Sequence, residues 1–200
     1  MEHMIITIGC EYGAGGPEIG RRIADELGIE YYNRDLVDKV VEQLGVDRNL
    51  VVRADEGDSN VRYSFETQYG PRYANLSERV VYMQCEVIRK FADNGSCVII
   101  GRCANYILRD RSDALNLFIY APEDIRVKSV MDHQGIEENE AREKIRYNDE
   151  QLHIRYKYLT GTYRGDRHER HMMIDSSLLG WEGTSEYLLQ LIDLRFGGIH

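Results

Sequence analysis

Between Ile5 and Gly28 the chain passes from a wholly β-branched run through a glycine-rich turn into an amphipathic stripe, and this order restricts the fold more than any other feature. Ile5, Ile6, Thr7 and Ile8 suit a short strand buried on both faces. Gly9, Gly13, Gly15 and Gly16 follow, and after Pro17 the residues Ile19, Ile23, Ala24 and Leu27 recur at spacings of three and four, which predicts a helix that Gly28 ends. Glu30-Tyr31-Tyr32 then reads as extended, and Asn33-Arg34-Asp35 opens a second helix carrying Leu36, Val37, Val40, Val41 and Leu44. Strand, helix, strand and helix in that order imply an α/β fold with a parallel sheet.

The glycine turn has the physics of a phosphate cradle. Glycines let backbone N–H groups converge on an anion, and the start of the following helix carries the positive end of its dipole. The candidate contact residues are Tyr12, Gly13, Ala14, Gly15, Gly16, Pro17 and Glu18. A Walker A loop would continue with lysine and then serine or threonine, whereas Gly13-Ala14-Gly15 is followed here by Gly16, Pro17 and Glu18. A flexible strand-to-helix connection therefore stands beside the cradle as a second reading of the loop alone.

An apolar fraction of 42% and a charged fraction of 30% belong to a water-soluble globular chain, and 200 residues fit one domain, 1–200. No apolar run approaches the roughly 20 residues of a membrane span, and no secretory signal is present, so the expected location is the cytoplasm and no membrane partner is expected. Cys10, Cys85, Cys97 and Cys103 lack CxxC spacing and read as free core or near-core residues. A net charge of −9 excludes a general affinity for nucleic acid. An anionic ligand would have to be held by local arginines, which number twenty against five lysines.

Residues 46–76 lose periodicity and read either as a segment that covers substrate or as a surface loop. From Ser77 a helix carrying Val80, Val81, Met83, Cys85, Val87, Ile88 and Phe91 runs to Asn94-Gly95. Cys97 to Ile100 is then a continuous apolar run that meets Gly101 and Arg102. That reads as a central parallel strand delivering Arg102 at its carboxyl end, where open α/β sheets bind ligands. Cys103 to Leu108 is predicted helical and Leu115 to Ala121 a strand. Pro122-Glu123-Asp124 starts a helix with Ile125, Val127, Val130 and Met131 toward the core. Residues 137–166 form a charged helix and loop with Arg142, Lys144, Arg146, Asp149, Arg155 and Lys157, which is either a solvated helix or a lid. His168 and His171 lack the context of a zinc site, and no metal-ligating residue is assigned. Met172 to Asp175 is the last strand, and Ser176-Ser177 leads to a helix with Tyr187, Leu188, Leu191, Ile192 and Leu194.

Four stretches together resemble the cytidylate kinase-like family of the P-loop nucleoside monophosphate kinase superfamily. They are Glu11 to Gly16, Tyr31 to Leu36, Val98 to Leu108, and Tyr158 to Gly161 continuing through Ile174 to Gly180. The resemblance implies a three-layer α/β/α fold with a parallel sheet and a helical lid. It implies transfer of the γ-phosphoryl group of ATP to CMP or a related small acceptor, with Mg2+ and small-molecule nucleotide partners. Residues 46–76 would be the acceptor-binding segment and 137–166 the lid. The glycine loop would hold the donor phosphates; Arg34, Asp35 and Arg102 the acceptor; and Arg102, Arg146, Asp149 and Arg155 would act in catalysis. Oligomeric state is left open.

The chain departs from that pattern at Gly16, where cytidylate kinases have lysine, and at Pro17, where the looser family has arginine. Cys10, Asn33, His171 and Leu152 also stand where charged residues are expected, with Arg155 one turn beyond Leu152. Arg21 and Arg22 lie more than one turn beyond the loop. Losing one oxyanion-type contact costs on the order of 3 kcal/mol, about a hundredfold in rate. A catalytically weak or inactive nucleotide-binding or anion-binding module of the same fold is therefore the alternative.

Overall fold

The computed structural model describes residues 3–33, 38–39, 41–42, 49 and 76–197. Five strands form one parallel sheet in the order β2-β3-β1-β4-β5, with β1 at Ile5–Cys10, β2 at Glu30–Tyr32, β3 at Cys97–Ile100, β4 at Ala114–Tyr120 and β5 at Met172–Asp175. The described helices are α1 (Gly16–Leu27), α2 (Leu76–Asn94), α3 (Ala104–Ile107), α4 (Glu123–Gln134), α5 (Glu138–Thr160) and α6 (Gly180–Phe196), with a 3-10 turn at Arg167–Glu169.

Because β1 is central, its alternate side chains feed two cores. Met4, Ile6 and Ile8 pack with Val98, Ile100, Leu115, Leu117 and Ile119 against α1 and the α6 residues Leu188, Ile192 and Phe196. Ile5 points to the other face, where Val87, Ile88 and Phe91 of α2 and Ala104 of α3 cover it with Ile99. Thr7 lies on that face too, and its hydroxyl donates to Asn116 Oδ1 at 2.7 Å, so the buried polar pair satisfies itself. Covering both faces with helices gives the expected three layers. A smaller cluster of Val127, Val130, Ala141 and Ile145 joins α4 to α5 beside the glycine loop.

Three local readings need correction or sharpening. Ile125 is exposed, whereas Arg126 is buried, because the guanidinium finds carbonyl and carboxylate acceptors beneath α4 that an isoleucine could not use. The final helix begins at Gly180, after a turn. Ser176 Oγ is engaged by the carbonyls of Ala14 and Tyr120 and Ser177 Oγ by Asp175, so neither serine is available to cap it. Of the helix read after Tyr32, the described residues Asp38, Lys39, Val41 and Glu42 are helical. Arg34 and Asp35, and all of 46–76 except Asn49 and Leu76, lie outside the described residues.

Candidate active site

β1 runs into the loop at Cys10, and α1 starts at Gly16 with Gly15 as its N-cap. Gly15 has φ of 85°, in the left-handed region that favours glycine, and it provides no side-chain cap. The loop residues Tyr12, Gly13, Gly15, Pro17 and Glu18 line a cavity of about 660 Å3. The same cavity is walled by Gly101 and Arg102 after β3, by Leu152 and Arg155 of α5, by Arg164 and Arg170 from the α5–β5 connection, and by Trp181 of α6. It lies at the carboxyl edge of the sheet, where parallel strands present their ligand sites. Ala14 and Gly16 are buried beneath the loop, outside the cavity lining.

Two glycines of the loop are there because neighbours come too close for a side chain. A Cβ on Gly16 would lie 2.4 Å from Cys10 Sγ and 2.6 Å from Cys10 Cβ. Cys10 thus fills the place from which a lysine at position 16 would leave the backbone, and the two departures noted in the sequence are one interlocked pair. Burial pushes the Cys10 thiol up to about 11, keeping it neutral beside the loop. A Cβ on Gly15 would lie 2.2 Å from Trp181 Nε1. The Trp181 ring also meets His133 at a centroid distance of 4.9 Å, so an aromatic pair stands at the mouth of the loop.

Arg102 stands immediately past β3 in a strained turn. Gly101, Arg102 and Cys103 have φ of 65°, 54° and 58° in succession, and the last two carry side chains in a left-handed conformation. Each such residue costs on the order of 1–2 kcal/mol, and strain of this kind is concentrated at sites of function. Arg155 joins it from α5, where its guanidinium donates to Gln84 Oε1 of α2. Arg146 is exposed and does not line the cavity. Arg21 stacks over the Tyr31 ring and Arg22 pairs with Glu182 on the surface, so neither reaches the cavity.

Asp149 is bound into the scaffold of the loop. Its carboxylate accepts from the Tyr12 backbone N–H at 2.9 Å, from Arg126 at 2.6 Å and from Arg164 at 3.3 Å. Arg126 also donates to the carbonyls of Ala121 and Tyr12 and lies 3.3 Å from Glu11. This network fastens the glycine loop to α4 and α5 and fixes where its first backbone N–H points. Gln134 adds a bond to the Tyr12 hydroxyl at 2.9 Å.

Arg164 and Arg170 are the cations that the sequence reading did not single out. Arg164 donates to the Cys10 carbonyl, and both guanidiniums lie over the Phe118 ring, at 5.7 and 5.4 Å. Arg170 is 9% exposed, and burial lowers its pKa below the usual arginine value. The signal for it was β5 itself. Met172 pairs with Leu117, so β5 begins halfway along β4 and the residues ahead of it already stand near the carboxyl edge.

Among the described residues no cluster of three or more acidic, histidine or cysteine side chains could hold a metal. Pro17 offers no hydroxyl where a Walker loop would, and Glu11 accepts from the Ala121 N–H. Glu18 lines the cavity with an exposed carboxylate. One such carboxylate, completed by phosphate oxygens and water, is a ligand set that suits Mg2+.

Residues 5–178 match the model of the cytidylate kinase-like family. Similar proteins include the cytidylate kinase of Methanopyrus kandleri, 22% identical over 95% of this chain and 93% of that one. Another is the cytidylate kinase of Pyrococcus horikoshii, 23% identical over 96% and 90%. Among solved structures, an uncharacterized protein from Eubacterium ventriosum superposes with a TM-score of 0.73 at 23% identity, covering 95% of this chain and 98% of that one. Shikimate kinase from Acinetobacter baumannii shares the fold with a TM-score of 0.55 at 14% identity, over 98% and 96%. No helix among the described residues is long and apolar enough to cross a membrane.

Proposed function

Because the chain belongs to the cytidylate kinase-like family, we propose that it transfers the γ-phosphoryl group of ATP to CMP or a related small acceptor. The observation that carries this reading is a cavity whose walls include the glycine loop, Arg102 and Arg155 together. Phosphoryl transfer asks little covalent chemistry of the protein; positioning and neutralisation of charge on the transferring group supply most of the acceleration.

On this reading the backbone N–H groups of Gly13 and Gly15 and the start of α1 hold the donor phosphates; the Ala14 N–H, given to the Glu11 carbonyl, takes no part. Arg102 receives the acceptor phosphate from the neighbouring strand end. Arg155, carried by α5, closes the third side and neutralises charge on the transferring group. Asp149 acts as a positioning residue, because its bonds to the Tyr12 N–H and to Arg126 hold the loop in register. Arg34 and Asp35 are assigned to the acceptor on the family resemblance. Arg146, exposed on α5, would belong to the outer face of the lid. Mg2+ bound with ATP supplies further charge neutralisation, and Glu18 is the carboxylate that would hold it. The setting, on this reading, is the cytoplasm.

The test is incubation with ATP, Mg2+ and each nucleoside monophosphate or small hydroxyl acceptor in turn, with products separated by chromatography. A new diphosphate or phosphorylated acceptor is expected; none above the enzyme-free background with any acceptor overturns the proposal. The Cys10–Gly16 interlock favours the alternative of a binding module. That alternative predicts nucleotide binding by calorimetry without turnover.

A further inference from the structure

We propose that Arg170, with Arg164 beside it, is the seat of a phosphoryl oxygen in the nucleotide chain and replaces the lysine that Gly16 excludes. The inference rests on the kinase reading only in calling the anion a nucleotide phosphate; the anion seat itself follows from what surrounds Arg170.

Arg170 is a buried guanidinium with poor compensation. Its Nη1 and Nη2 donate to the carbonyls of Glu169 and Arg164 at 3.4 and 3.3 Å, and its Nε has no partner among the described residues. No carboxylate among the described residues pairs with it. Arg164 repels it and Glu169 attracts it more weakly, while the Phe118 and Tyr156 rings lie at 5.4 and 5.3 Å. Neutral carbonyls and ring faces offset only part of the cost of burying an ion. A cation held at that cost on a cavity wall is placed to receive an anion.

Its position fits the role. A Cβ on Gly9 would lie 3.4 Å from Arg170 Nη2, so the guanidinium rests against the last turn of β1, next to the loop. The start of α1 cannot supply a cation, because Cys10 occupies the space beside Gly16. Arg164 crosses the same gap to the Cys10 carbonyl. Both arginines line the cavity, and Asp149 is the carboxylate that Arg164 pairs with, at 3.3 Å, so a phosphate oxygen entering there would supply the anion that Arg170 lacks and relieve the repulsion between the two. An arginine fork offers paired donors to that oxygen, which a lysine does not.

The experiment titrates inorganic tripolyphosphate into the full chain by calorimetry, comparing wild type with Arg170→Met and Arg170→Lys. Methionine keeps the side-chain volume and removes the uncompensated charge. Arg170→Met is therefore expected to melt at or above the wild-type temperature without ligand while binding tripolyphosphate at least tenfold more weakly, with Arg170→Lys intermediate. Binding within twofold of wild type overturns the proposal, and so does a drop in melting temperature of several degrees, which makes Arg170 a packing residue. Should Arg170→Met not fold, the Arg170 Nε–H resonance of the wild type decides: a shift on adding tripolyphosphate supports the seat, and no shift overturns it. Phosphoryl transfer is assayed separately. Wild-type binding through Arg170 without turnover leaves the seat standing and removes the kinase reading, whereas equal turnover by wild type and Arg170→Met does the reverse.

Discussion

Replacing Gly16 by alanine puts the close fit between α1 and β1 under direct load. The new methyl group would lie 2.4 Å from Cys10 Sγ and 2.6 Å from Cys10 Cβ, against an ordinary contact of 3.4–4 Å. The first turn of α1 and the end of β1 must therefore separate by roughly 1 Å, and overpacking of this kind costs about 1–3 kcal/mol. At roughly 2–4 °C per kcal/mol for a chain of this size, the melting temperature should fall by about 2–12 °C. Cys10→Gly removes both clashing atoms, so in Cys10→Gly/Gly16→Ala the cost of the alanine should largely vanish. Urea unfolding of the four proteins at 25 °C measures the coupling, expected at about 1–3 kcal/mol. Gly16→Ala within about 0.5 kcal/mol of wild type, or additive effects, would refute the interlock. If the interlock holds, Cys10→Gly/Gly16→Lys can accommodate the Walker lysine while Gly16→Lys alone cannot. A productive lysine contact is worth up to about a hundredfold in rate.

Three further outcomes follow from other contacts. Asp149→Ala leaves the Tyr12 N–H without its acceptor and removes the shorter of the two carboxylate contacts of Arg126, with Glu11 remaining at 3.3 Å. It should cost about 2–3 kcal/mol in urea unfolding, toward the low end for a broken buried pair because the carboxylate is a quarter exposed, and it should raise KM for ATP by loosening the loop. Trp181 is the sole tryptophan and lies against Gly15, so its fluorescence should change on saturation with ATP; an unchanged spectrum with binding proven by calorimetry would place the nucleotide elsewhere. Hydrogen bonds from Arg111 hold the Asp113 carboxyl well below the usual carboxylate range. Its contribution is complete above the unfolded carboxylate value near pH 4 and is lost as pH falls toward the depressed folded value. Asp113→Asn should therefore lower the melting temperature at pH 7 and close the gap to wild type progressively below pH 4.

The sheet was legible because burial on both faces leaves an unmistakable record: the apolar runs Ile5–Ile8 and Cys97–Ile100 admit few readings other than central parallel strands. Arg102 was legible for the same reason, since only Gly101 separates it from such a run. Arg126, Arg164 and Arg170 were not. Arg126 sits between apolar residues whose periodicity assigned it outward, and only acceptors distant in sequence, Tyr12 and Asp149, draw it in. Arg164 and Arg170 lie in a connection without periodicity, and their arrival at the cavity depends on how far along β4 the short strand β5 begins. The same limit applies to the glycine loop. The substitutions at Cys10 and Gly16 read as two separate losses in sequence and as one packing decision in space.

The most direct measurement follows the labelled phosphorus. ATP carrying 32P in the γ position is incubated with the protein, Mg2+ and CMP, and the nucleotides are separated and counted. The account predicts label in CDP, appearing at a rate that Arg102→Gln lowers about a hundredfold, as expected for one lost charge-stabilising contact. Label confined to ATP and inorganic phosphate, or CDP formed equally fast by Arg102→Gln, would contradict it.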